Sequence, residues 1–219
     1  METPLTILYT HKLRGDLDAL PRLYNFQRQL KALYAEEVVQ VCMDDPAPAP
    51  GRVLLLDLGE SCAPDVWHCT VTSGRSTLVL LDGMGYHVAH VSDAAALRAK
   101  MGDGVSMALV DEARPRMIED VLITANAHTP DAYSYTLQII LSPAETTHLD
   151  GSRLYLAGLN GSQQVGVARL AQILGRWALT THEIHELPRR TLPDPTIAGS
   201  VDFVLSEARY AQKRQSAKE

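Results

Sequence analysis

The hydrophobic pattern divides the chain into two stretches of different character. From residue 5 to about residue 101, short apolar runs alternate with longer segments of helical period. From 105 to 185 the apolar runs follow one another with little but turns between them, and one helix closes the chain. Leu5-Thr6-Ile7-Leu8-Tyr9 mixes apolar and β-branched residues and predicts a short strand. A polar turn, His11 to Asp16, follows. Leu17, Leu20, Leu23, Tyr24, Gln27, Leu30, Leu33 and Tyr34 then recur near helical spacing. They predict a helix running to Ala35 or beyond, capped by Asp16 or Asp18, with Pro21 in its first turn. The proline-rich segment Asp44 to Gly51 reads as a loop. Val53 to Leu58 is a continuous apolar run, the pattern of a strand buried on both faces.

Ser73 to Met84 has helical period and is punctuated by Gly83 and Gly85. Tyr86 to Val91 reads as a strand, Asp93 as the cap of a helix over Ala94 to Met101, and Val105 to Val110 as another strand. In the second stretch, strands are expected at Glu119 to Ala125, Tyr133 to Leu141, Arg153 to Ala157, Gly166 to Leu170 and Arg176 to His185. Pro193-Asp194-Pro195 opens a last helix, Thr196 to about Gln212. Strand–helix repeats followed by a series of strands indicate an α/β protein with an antiparallel part. With 219 residues and no internal repeat, one domain over residues 1–219 is expected.

Composition narrows the partners. Twenty Lys and Arg against 26 Asp and Glu give a net charge of −6. That balance argues against a broad electrostatic grip on nucleic acid or a membrane surface. Aromatic residues are 5% of the chain, too few for a base-stacking surface. No apolar run approaches the ~20 residues of a membrane span. The first residues carry no basic segment ahead of an apolar one, so a cytoplasmic protein is expected. Cys42, Cys62 and Cys69 are too few for a disulfide framework and are expected as free thiols.

In an α/β fold, chemistry gathers at the tips that follow the first strands. The first tip reads Thr10-His11-Lys12-Leu13-Arg14-Gly15-Asp16. The second reads Leu56-Asp57-Leu58-Gly59-Glu60-Ser61. The third reads Met84-Gly85-Tyr86-His87-Val88-Ala89-His90-Val91-Ser92-Asp93. In order and spacing these tips resemble the calcineurin-like metallophosphoesterases, most closely the 5′-nucleotidase and UDP-sugar hydrolase branch. Toward the C-terminal end, Gly166 to Leu170, Leu174 to Thr180 and Pro193 to Ala198 resemble that branch as well. The resemblance spans roughly residues 5–100 and 150–205. It implies a sandwich of mixed β-sheets flanked by helices, with a shortened middle and without the branch's C-terminal nucleotidase domain.

The resemblance also implies where metal ligands would stand, and there the chain departs from it. The branch's first tip reads Thr-Asn-Asp-Leu-His-Gly. Its two ligand positions, Asp and His, hold Lys12 and Arg14 here. Both are cations that repel a divalent ion. The bridging Asp position holds Glu60. The Asn position is matched by Asp93, and the His after it by Ala94. The branch's late Gly-His-x-His turn falls near Leu141 to Thr146, which holds no histidine; His148 lies close by at the wrong spacing. Glu60 and Asp93 are too few for two cations ~3.5–4 Å apart. A mixed-charge pocket is expected instead: His11, Lys12, Arg14, Glu60 and Asp93, with Lys12 and Arg14 pairing with Glu60 and Asp93 and with His11 approaching Glu60. No metal and no cofactor are expected.

Other constellations point to structure. His87 and His90, and likewise His182 and His185, lie three apart on strands and face opposite ways. Cys69 follows His68 directly, and neighbours on a strand diverge. Ser61 sits in no nucleophile elbow. Gly83-Met84-Gly85 lacks the rest of a dinucleotide fingerprint. The function expected is therefore a degenerate, non-catalytic metallophosphoesterase-like domain that binds a protein partner or a small anion. The alternatives are a metal-dependent phosphoesterase or nucleotidase with an altered or mononuclear site built from Glu60, Asp93 and histidines that the fold brings together, and a structural subunit of a homo-oligomer with Tyr155 and Trp177 near its surface.

Overall fold

A computed structural model describes residues 4–41, 51–101, 104–127 and 135–217. Six strands form one sheet: β1 (Leu5–Thr10), β2 (Arg52–Asp57), β3 (Val88–His90), β4 (Ala108–Val110), β10 (Gln164–Ile173) and β11 (Arg176–Glu186), in the order β11-β10-β1-β2-β3-β4. β1 to β4 are parallel, whereas β10 and β11 join as an antiparallel hairpin on the β1 side. Five strands form a second mixed sheet: β5 (Arg116–Ile118), β6 (Val121–Thr124), β7 (Leu137–Ala144), β8 (His148–Asp150) and β9 (Arg153–Ala157), in the order β5-β6-β7-β9-β8. The helices are α1 (Leu20–Val41), α2 (Trp67–Thr72), α3 (Arg75–Gly83), α4 (Ala94–Met101) and α5 (Pro195–Ser216). None of these helices is long and apolar enough to cross a membrane.

The period-two alternation of the six-stranded sheet builds both halves of the core. Leu5, Ile7 and Tyr9 of β1 and Leu54 and Leu56 of β2 face the second sheet and pack with Val121, Ile139 and Leu154. Leu8 and Leu55, on the opposite face, pack under Leu20 and Leu23 of α1, Leu81 of α3 and Val201 of α5. The run around Leu54-Leu55-Leu56 is thus apolar throughout because both faces are covered. Arg52, at the start of β2, ties the two sheets together at one end through Glu119 and Asp120. Asp194 caps α5 by accepting from the amides of Thr196 (2.9 Å) and Ile197 (3.1 Å).

Several sequence expectations shift by a few residues. The turn over 17–19 precedes α1, and Asp16 accepts from the Ala19 amide (3.3 Å) rather than capping the helix itself. The helix expected over Ser73 to Met84 is α3, which starts two residues later, and the short α2 stands just before it. Ser73 and Gly74 both take left-handed backbone (φ 52° and 83°), which ends α2 and starts α3. β7 begins at Leu137, four residues later than expected. β5 and β8 span three residues each and leave too short a pattern to read. The expected loop at Asp44 to Gly51 falls almost wholly outside the described residues, and so does Cys42.

The free-thiol expectation is overturned for Cys62 and Cys69, which form a disulfide. The chain turns back after β2, with the Val66 amide on the Ala63 carbonyl (3.2 Å), and brings the two Cα atoms to 5.6 Å. A spacing of seven in sequence carries no such information until the turn is known.

One close approach holds β1 against β10. Tyr9 pairs with Gly166, and its ring lies where a Cβ at 166 would be, 2.1 Å from Cζ. Gly166→Ala is expected to lower unfolding free energy by at least ~1–3 kcal/mol, read by urea denaturation. Unchanged stability would show that the Tyr9 ring moves aside freely.

Candidate functional site

The site lies at the C-terminal ends of β1, β2 and β3, where an open α/β sheet leaves backbone groups unpaired. Beyond the strand ends the first two tips remain laced together. The Leu58 amide donates to the Thr10 carbonyl (2.8 Å), Lys12 to Gly59 (3.1 Å), Arg14 to Glu60 (2.9 Å) and Gly15 to Ser61 (2.8 Å). The lacing holds Lys12, Arg14 and Glu60 at φ 57°, 52° and 54°. Left-handed backbone costs a non-glycine residue ~1–2 kcal/mol. Three such residues at one place mark a locally imposed conformation of the kind found at binding sites.

Asp57 anchors the second tip from below. It is fully buried and accepts hydrogen bonds from the Thr10 hydroxyl (3.0 Å), the Gly59 amide (3.2 Å) and the Ser61 hydroxyl (2.5 Å). Thr10 spends its one proton on Asp57, so Tyr86 donates to Thr10 (3.1 Å) and Gln27 donates to Tyr86 (2.7 Å). Every donor in this chain points toward the carboxylate. Burial nevertheless outweighs the three hydrogen bonds and pushes the Asp57 carboxyl up to about 7.

An open cleft of about 1530 Å³ lies over these tips. Of the sequence candidates, His11, Lys12, Glu60 and Asp93 line it, and Arg14 does not. The expected pairing of Lys12 and Arg14 with Glu60 and Asp93 does not occur. Arg14 turns outward to Asp65 (3.6 Å), with both side chains mostly exposed. Lys12 has no ion-pair partner among the described residues. Asp93 spends Oδ1 on the Ala96 amide (2.9 Å), as the expected cap of α4.

Glu60 lies 3.6 Å from Nε2 of the buried His11. Nδ1 of His11 accepts from the Leu159 amide (3.2 Å). Burial and then Lys12 lower the His11 pKa, and Glu60 offsets them only in part. A neutral imidazole therefore faces Glu60, beyond hydrogen-bond range, and the contact is not an ion pair.

Sequence reasoning missed five charged or titratable residues that line the cleft: His90, Lys100, Asp111, Glu112 and Arg114. His90 donates from Nδ1 to the Leu58 carbonyl (3.1 Å). Asp111 accepts from the amides of Ala94 (2.8 Å) and Ala113 (3.0 Å) and from Arg114 (2.8 Å). Burial alone would raise its pKa, but these donors hold it below the usual range. No local motif marks Asp111; its role follows from its place at the end of β4, beside the start of α4.

At the positions where the resemblance implies metal ligands, Lys12 lines the cleft as a cation, Arg14 points away from it, and Asp93 has one oxygen on a helix amide. Among the described residues, the one group of three His, Cys, Asp or Glu ligand atoms lying within 4.8 Å of one another is Cys62, His68 and Cys69.

The raised Asp57 carboxyl links stability to pH. A carboxyl whose folded pKa exceeds its unfolded value near 3.8 is favoured protonated in the fold. Its ionisation cost is absent below about pH 4, grows as pH rises and is fully present above about 7. The whole effect is on the order of 4 kcal/mol. Asp57→Asn removes this slope, so the difference between the two proteins' urea-denaturation stabilities should change by a few kcal/mol from pH 4 to 7. Parallel profiles would contradict this account of Asp57.

No protein-family model matches the sequence, and no curated protein sequence does. Solved structures do match. Over 97% of this chain and 100% of the other, it resembles the calcineurin-like phosphoesterase YfkN from Bacillus subtilis, with a TM-score of 0.57 and 10% identity. It resembles the sulfate thiohydrolase SoxB of Thermus thermophilus over 93% of this chain and 60% of that one (TM-score 0.61, 10% identity). A candidate 5′-nucleotidase from Staphylococcus aureus aligns over 93% of this chain and 58% of that one (TM-score 0.50, 7% identity). The chain thus spans about three fifths of the length of the last two. These likenesses show the fold: the chain has the calcineurin-like metallophosphoesterase fold.

Proposed function

We propose that this phosphoesterase-like domain binds a small anion of the phosphate class in its cleft without a divalent metal, and that it does not hydrolyse it. The observation that carries the reading is Lys12. It is a cation without an ion-pair partner among the described residues, lining the cleft from a position where the resembled family places a metal ligand. The laced tips hold its backbone in one conformation, so little ordering remains to be done on binding. An ammonium in that place supplies the positive charge that a metal ion would otherwise bring to a phosphate. Charges of both signs line the cleft, Lys12, Lys100 and Arg114 against Glu60, Asp93, Asp111 and Glu112, which favours a small anion held locally at Lys12 over a polyanion.

A second reading, a phosphoesterase with an altered metal site, is favoured by His90. With Nδ1–H on the Leu58 carbonyl, its Nε2 is left as an acceptor, the arrangement of a ligating imidazole. Chelator sensitivity separates the two readings. The compartment bears on Cys62 and Cys69, not on Lys12: a reducing cytoplasm keeps the pair as thiols, and an oxidising compartment keeps the disulfide.

Calorimetric titration with inorganic phosphate and with a nucleoside monophosphate, in excess chelator, tests the proposal. Saturable binding is expected, weakened about tenfold or more by Lys12→Ala through loss of a charged contact. Arg14→Ala is expected to leave both binding and stability unchanged within ~0.5 kcal/mol, since its pair with Asp65 is exposed. Binding that requires added manganese, or that ignores Lys12→Ala, would overturn the reading.

A further inference from the structure

On the wall of the same cleft, but apart from Lys12 and Glu60, stands a group of a different chemistry. Sγ of Cys62, Sγ of Cys69 and a ring nitrogen of His68 lie within 4.8 Å of one another. Two thiolates and an imidazole are the donors that soft-to-borderline cations such as zinc prefer. In a tetrahedral zinc site, neighbouring donors stand about 3.5–3.8 Å apart, so the two sulfurs must part once the S–S bond opens, while the imidazole already lies within reach. We propose that Cys62, His68 and Cys69 form a redox-gated zinc site: closed as the disulfide, and able to take one Zn²⁺ when reduced.

The tautomer of His68 supports this assignment. Nε2 lies 3.1 Å from the Gly15 carbonyl, which only accepts, so Nε2 carries the proton. Nδ1 then holds the lone pair and accepts from the Ser76 hydroxyl (2.9 Å). The same hydroxyl oxygen is 3.8 Å from Sγ of Cys62, so the lone-pair side of the ring shares Ser76 as a neighbour with that sulfur. An imidazole that donates one N–H to a backbone carbonyl and offers the other nitrogen is oriented as a metal ligand is. Taking up the ion displaces one hydrogen bond, from a hydroxyl that can rotate away.

The group is held from several sides. Gly15 packs so closely that a Cβ there would stand 2.8 Å from Sγ of Cys69 and 3.1 Å from Cε1 of His68. Cys62 follows the laced second tip, and Cys69 and His68 are buried in α2. These anchors do not depend on the S–S bond, so the donors stay together when it opens. Both cysteines line the cleft, which leaves a fourth coordination position for water. The chemistry balances with a cellular dithiol as reductant. Two electrons and two protons convert the disulfide to two thiols, the dithiol becoming a disulfide. Zn²⁺ then displaces two thiol protons and is bound by two thiolates and neutral His68.

This site is independent of anion binding by Lys12, and cobalt distinguishes the two. The full-length protein, reduced anaerobically with a phosphine, is titrated with Co²⁺ and then with Zn²⁺. One Co²⁺ per chain is expected, with a thiolate-to-cobalt charge-transfer band that Zn²⁺ abolishes, while the disulfide form shows no band. His68→Gln should weaken Co²⁺ binding at least about tenfold. His68 is buried, so Cys62→Ser, at a half-buried position, serves as the second variant and should lose most of the band. A reduced protein without the band, or Cys62→Ser with undiminished binding, would overturn the zinc site and leave the Lys12 reading untouched.

Discussion

The site depends on the lacing of β1 to β2 past their strand ends. Four backbone hydrogen bonds carry the pairing from Thr10–Leu58 out to Gly15–Ser61, where parallel strands usually diverge. Asp57 sits beneath, and its oxygens tie Thr10, Gly59 and Ser61 to one point. This arrangement carries two costs at once: a buried carboxylate, and left-handed backbone at Lys12, Arg14 and Glu60. Its return is geometric. Lys12 and Glu60 are presented on the cleft, and the position of Gly15 lets Cys69 and His68 close in behind. The two candidate sites therefore both adjoin one laced loop pair, on one cleft.

Much of the fold was legible because burial repeats with a period the sequence displays. Leu54-Leu55-Leu56 announced a strand covered on both sides, and Pro193-Asp194-Pro195 announced the start of α5. The misses have physical causes. β5 and β8 are too short for any period to register. α2, six residues long, is likewise too short for a helical period to show.

The cleft was legible in part of its membership and illegible in pairing. His11, Lys12, Glu60 and Asp93 come together because they follow consecutive parallel strands, a consequence of topology. Which charge meets which is decided by loop direction. Arg14 points away to Asp65, and Glu60 meets a neutral His11 instead of a lysine. Asp57 looked like one more residue of an apolar strand, yet it proved the most strongly perturbed carboxyl at the site. The Cys62–Cys69 contact was hidden for a related reason, since it is made by a turn and not by a periodic element.

The proposal that joins these features is that Lys12, at a strand tip of a metallophosphoesterase fold, brings the charge a metal ion would otherwise bring. The direct measurement is the metal content of the disulfide form, equilibrated with manganese and zinc and then freed of unbound ions. Keeping Cys62 and Cys69 oxidised removes the thiolate donors from the result. The account predicts well under one ion per chain. One or two ions retained per chain would contradict it, and would mean that Glu60, His90 and Asp93 converge on metal despite Lys12.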